Sequence, residues 1–160
     1  MTPANRSRSI RTVLIAGLAA GVLDITAACG FYGLRGVSPV RILQSIASGL
    51  LGSAAFTGGA PTAVLGLCLH FVIATTAAAV FYVISRRFTF LVRHAVVAGA
   101  SYGVAVYLFM NHVVLPLSAV NKRPLSLSTA IVMLVIHILC VGLPIALTVR
   151  HYGKRSEVGP

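Results

Sequence analysis

A chain of 160 residues that is 58% apolar and 9% charged, with 13 Lys and Arg against two acidic residues and a net charge of +11, has too few charges for a water-soluble domain, which carries about 25%. A lipid bilayer is the solvent that fits. Nucleotide, protease and glycosidase chemistry lose their usual support, because there is no GxGxxG after a strand, no GxxxxGK[ST], no HExxH and no paired-carboxylate set. The basic residues gather at the ends of apolar spans and not on one face, which argues against a nucleic-acid partner.

The pattern predicts an all-α membrane protein of one domain, 1–160, with four transmembrane helices of more than 20 residues each: 10–34, 62–86, 95–119 and 127–149. In the first span, Gly17 and Gly21 form a GxxxG pair that shares a face with Asp24 and Ala28, the small-residue geometry that lets helices approach in lipid. Arg6, Arg8 and Arg11 ahead of this span, and Thr26-Ala27-Ala28-Cys29 within it, resemble a secretion signal. Asp24 interrupts the apolar run, however, and the run exceeds the 7–15 residues of a signal core, so the segment is expected to remain as a span.

Between the first two spans, 39–56 is amphipathic. Arg41, Gln44, Ser45, Ser48 and Gly52 recur at helical spacing, with Ile42, Leu43, Ile46, Leu50 and Leu51 mostly opposite. A short interfacial helix with Arg41, Gln44 and Ser48 toward water is expected there, with a re-entrant segment as the alternative. Gly58-Gly59-Ala60-Pro61 ends it.

The second span places His70 on a small-residue face with Ala63, Gly66 and Ala77. The third carries a second GxxxG pair, Gly99 and Gly103, with Asn111 at the edge of that face and His112 pointing away. In the fourth, His137 shares a face with Met133, Cys140, Val141 and Pro144. Short connections predict that spans two, three and four form a meander of adjacent antiparallel helices. Pro116 and Pro144 each remove a helical hydrogen bond, to the carbonyls of His112 and Cys140 respectively. The aromatics Phe31, Tyr32, Phe81, Tyr82, Phe88, Phe90 and Tyr152 are expected near the membrane interfaces. Tyr102 and Tyr107 sit deeper, and Cys29, Cys68 and Cys140 read as small buried apolar residues.

Measured at 1.5 Å per residue from the outer end of each span, Asp24 and His137 lie roughly 15 Å deep, and His70 and Asn111 roughly 12 Å deep. An ionisable group in hydrocarbon costs at least ~2.5 kcal/mol by insertion scales, so Asp24 is expected to pair within this layer. A structural network is one reading of it. A proton-coupled transporter or channel using Asp24, His70 and His137 is the second, and a metal or b-type haem module with His70 and His137 as axial ligands is the third. None makes the chain an enzyme, and no resident cofactor is expected.

With both termini inside, nine basic residues face the cytoplasm (Arg6, Arg8, Arg11, Arg86, Arg87, Arg93, Arg150, Lys154, Arg155) and four face out (Arg35, Arg41, Lys122, Arg123), as the positive-inside bias requires. The partners expected are the lipid bilayer and a homo-oligomer or larger membrane complex packed through the glycine faces.

The strings Leu69-His70-Phe71-Val72-Ile73-Ala74, Met110-Asn111-His112-Val113-Val114-Leu115-Pro116-Leu117 and Ile136-His137-Ile138-Leu139 resemble the YagU-type small inner-membrane proteins of bacteria over spans two to four. The match rests on His70, His112 and His137. Leu143 to Thr148 stand where acidic residues are associated with the fourth span of that family. The resemblance implies a bacterial inner-membrane protein of undefined molecular activity, and it adds His112 to the candidate residues.

Overall fold

The computed structural model describes residues 3–120 and 126–153. Lys122, Arg123, Lys154 and Arg155 of the charge count lie outside them. The fold is helical, with no strand among the described residues. Helix α1 is Pro3–Gly33, α2 is Pro39–Leu51, α3 is Gly59–Arg87 and α4 is the single turn Phe90–Arg93. Helices α5 and α6 cover Ala95–Leu117 and Leu127–Tyr152. Four of these, α1, α3, α5 and α6, are long and apolar enough to cross a membrane.

Local chemistry sets the helix ends. Ser38 caps α2 by accepting from the Arg41 N–H at 3.3 Å, with Pro39 in the first turn. Ser126 caps α6 by accepting from the Thr129 N–H at 3.3 Å. Gly52 and Gly59, at φ +57° and +63°, supply the left-handed backbone that bounds the α2–α3 connection.

Both proline-bearing spans contain a wide π turn just before the proline, Met110–Val114 ahead of Pro116 and His137–Gly142 ahead of Pro144. A proline cannot donate to the carbonyl four residues back. The preceding N–H groups reach one residue further instead, Leu115 to Met110 O and Leu143 to Ile138 O.

Helix α1 runs antiparallel to α3, Ser9 against Tyr82 at one end and Gly21 against Phe71 further along. Helix α5 runs antiparallel to α6 in the same way, with Gly99 at Leu143 and Ala146, and Gly103 at His137 and Ile138. Helix α1 also packs on α6, so the lateral order is α3, α1, α6, α5. The core of Ala16, Ala20, Ala78, Phe81, Ala98, Ile145, Ala146 and Val149 occupies the half of the bundle where α1 starts and α6 ends.

Three expectations are corrected. The meander is not a row of packed neighbours, because α3 and α5 barely meet. Tyr102 Oη donating to Ala77 O at 2.7 Å, with Phe81 edge-on to Tyr102 at 5.0 Å, is the seam between them. Both helices have closer-fitting partners, α3 in α1 and α5 in α6, where small residues admit the backbones. Beyond the seam, α3 and α5 leave an apolar cleft of about 470 Å³ open to the side, walled by Val72, Ile73 and Val80 on α3 and by Val106, Phe109 and Val114 on α5.

Helix α2 turns two of its polar residues inward, contrary to expectation, while Ile42 is buried beside them and Ser45 is exposed. Gln44 and Ser48 are 5% and 4% exposed against α3, while Val40 and Leu50 are 49% and 65% exposed. Gln44 Nε2 donates to Gly59 O at 3.1 Å, and Ser48 Oγ donates to Ser45 O at 2.6 Å. Of the three residues placed toward water, only Arg41 is exposed, its guanidinium stacked over Phe56 at 4.1 Å. Gln44 is satisfied by α3 and Ser48 by its own helix, and Val40, Leu50 and Leu51 are left outward. Lastly, Phe81 and Tyr82 are core residues, 2% and 9% exposed, so they face the inside of the bundle and not lipid headgroups.

Candidate functional site

Each residue of the polar layer is held by a helix crossing or by a π turn. The α1–α3 crossing is built on Gly17 and Gly21: a Cβ at Gly17 would lie 2.6 Å from Thr75 Cα, and one at Gly21 would lie 2.7 Å from the Phe71 ring. This approach brings the half-buried His70 across the interface, where Nε2 donates to Gly21 O at 2.8 Å. The carbonyl it reaches belongs to the facing helix, so the imidazole ties α3 to α1.

The α5–α6 crossing is closer still. A Cβ at Gly103 would lie 2.6 Å from both His137 O and Ile138 Cα, and a Cβ at Gly142 would collide with Gly99 O. His137 opens the π turn of α6. Its Nδ1 donates to Met133 O at 2.8 Å, and its ring lies edge-on to Tyr107 at 5.4 Å. Asn111 Nδ2 donates to Tyr107 O at 2.9 Å. His112 Nδ1 donates to Leu108 O at 3.0 Å from an exposed position, so it stays on its own helix. At the α2–α3 crossing, Gly66 lies directly against the Leu43 carbonyl.

Asp24 is half-buried on α1, the helix that packs on the π turn of α6. Among the described residues no direct hydrogen bond joins Asp24 to His70, Asn111, His112 or His137; His70 Nε2, Asn111 Nδ2, His112 Nδ1 and His137 Nδ1 each donate to a backbone carbonyl. His70 and His137 therefore belong to different interfaces, α1–α3 and α5–α6.

That arrangement does not fit the metal and haem readings. Among the described residues no three of His, Cys, Asp and Glu converge as metal ligands, and the Nε2 that His70 would present to an iron is engaged by Gly21 O. Cys29, Cys68 and Cys140 are free thiols, Cys68 being exposed.

Sequence reasoning missed Gly142, and it placed Tyr107 deep in its span without the His137 ring it meets. Gly142 stands four residues before Ala146, and Tyr107 four residues before Asn111, so helical spacing pointed at each. No family model, curated protein or solved structure matches the chain.

Proposed function

We propose that the chain is an integral protein of a bacterial inner membrane, with both termini cytoplasmic, that has a structural or accessory role and catalyses no reaction. The observation that carries this reading is the His70 bond to Gly21 O across the α1–α3 crossing. It commits a polar side chain at membrane depth to joining two spans, and Nδ1 of His112, Nδ1 of His137 and the amide of Asn111 are committed to backbone carbonyls of their own helices. Interhelical hydrogen bonds of this kind contribute about 0.6 kcal/mol on average in a membrane bundle and up to about 1.7. The likeness of His70, His112 and His137 to the YagU-type pattern supports the same location and leaves the molecular activity open.

One observation favours a second reading, a small proton-coupled transporter or channel. Asp24 is the one acidic residue within the spans, and its helix packs on a π turn, a helix irregularity that recurs at functional sites. Asp24→Asn separates the two readings. Under the structural reading the variant keeps its melting temperature, because an amide can still hydrogen-bond, whereas Asp24→Leu loses stability. Under the transport reading Asp24→Asn folds normally and abolishes pH-driven flux in proteoliposomes. Wild-type flux indistinguishable from empty vesicles at every pH gradient rules out the transport reading. A wild-type flux that Asp24→Asn abolishes overturns the structural one.

A further inference from the structure

The cleft between α3 and α5 has no role in the polar layer, and its chemistry is specific. Its polar groups are already engaged: Tyr102 Oη donates to Ala77 O, and Thr76 Oγ1 donates to Val72 O at 2.8 Å. An occupant therefore meets hydrocarbon alone. From Val72 to Val80 the wall rises about 12 Å, and a cleft of that length lined by hydrocarbon and open to the side suits an acyl chain.

Charge identifies the other end of the occupant. Val83 and Ile84, 63% and 41% exposed, continue the apolar surface of α3 from Val80 toward Arg87, and Arg87 lies about 10 Å beyond Val80. Arg86, Arg87 and Arg93 are all exposed on the connection between the two walls of the cleft. The chain's two acidic residues are Asp24 and Glu157, so no acidic residue on α3, α5 or their connection neutralises these arginines. Cationic groups at the membrane surface attract anionic headgroups.

We propose that the α3–α5 cleft is a binding site for one anionic glycerophospholipid, its phosphate at Arg86, Arg87 and Arg93 and an acyl chain running past Val83 into the cleft. This rests on the chain being membrane-embedded, which topology reporters test separately.

The test is native mass spectrometry of protein extracted from vesicles of palmitoyl-oleoyl phosphatidylglycerol and phosphatidylcholine in equal parts. Wild type is expected to retain one phosphatidylglycerol at least tenfold over phosphatidylcholine. Ala105→Trp, which fills the cleft from the α5 wall, is expected to abolish retention of both lipids, and Val72→Trp repeats the test from the α3 wall should the first variant not fold. The triple change Arg86→Gln, Arg87→Gln and Arg93→Gln is expected to lower phosphatidylglycerol to the phosphatidylcholine level while leaving the latter unchanged. Equal retention of the two lipids by wild type overturns the proposal. So does unchanged retention in a folded tryptophan variant, or a tryptophan variant that alters only the oligomeric state, which would assign the cleft to a second copy of the chain.

Discussion

Glycine positions divide sharply by what stands opposite. At Gly142 the obstacle to a Cβ is backbone, Gly99 O and Gly103 N, and neither side can move without shifting a whole helix. Gly142→Ala is expected to cost about 1–3 kcal/mol, the usual range for overpacking. Gly30 is helical too, yet a Cβ there meets nothing within 4 Å, so Gly30→Ala is expected to be neutral or to gain up to about 1 kcal/mol of helix propensity. Thermal unfolding in one detergent checks both, and equal melting temperatures for the two variants contradict the crossing described here. Gly17, Gly21, Gly99 and Gly103 could be picked out in the sequence because the GxxxG spacing repeats on one face. Gly142 stands four residues before Ala146, so the spacing offers a small-residue pair there too, but the close approach of the Gly99 carbonyl on α5 is set by the fold and not by periodicity.

At the element scale, α2 shows where periodicity stops being informative. Its pattern identifies two faces and a helix between Pro39 and Leu51, but the solvent that each face meets depends on what packs against it. Gly66 on α3 admits the Leu43 carbonyl at the crossing, and this contact turns Gln44 and Ser48 inward and Val40 and Leu50 outward. The π turns were partly legible in the same sense. Pro116 and Pro144 announced a lost hydrogen bond, while the way the backbone absorbs it, by a one-residue lengthening of the next bond, is set by the fold. The orientation of α2 yields a direct prediction. A spin label or fluorophore at Leu50 is expected to be quenched by brominated lipid chains, and one at Arg41 by a water-soluble quencher. Quenching of Leu50 from water and not from lipid sinks the assignment of Val40 and Leu50 to the bilayer. Gln44→Ala is expected to cost about 1 kcal/mol, the usual net value of one hydrogen bond, read as a lower melting temperature.

For the whole molecule, the packing order α3, α1, α6, α5 and the distribution of charge bear on one quantity, the direction of insertion. Antiparallel packing of α1 on α3 and of α5 on α6, with the shared core at the start of α1 and the end of α6, puts Ser9, Tyr82, Ala95 and Val149 at one end of the bundle. Arg6, Arg8, Arg11, Arg86, Arg87, Arg93 and Arg150 lie at or beyond that end, whereas Arg35 and Arg41 lie at the other. Lys and Arg in short flanking segments set orientation, and acidic residues contribute little. The basic end is therefore expected to stay in the cytoplasm. Alkaline phosphatase fused after Arg150 or inserted between Arg87 and Arg93 is expected to be inactive, and fused after Val37 it is expected to be active. Moving charge tests the cause as well as the outcome. Replacing Arg6, Arg8 and Arg11 with Gln, together with two lysines added beside Arg35, leaves six basic residues at the inner end against six at the outer, and a mixed reporter signal is the expected result. A wild-type signal that is active at both Arg150 and the Arg87–Arg93 connection reverses the insertion, and with it the leaflet from which the α3–α5 cleft would draw its lipid.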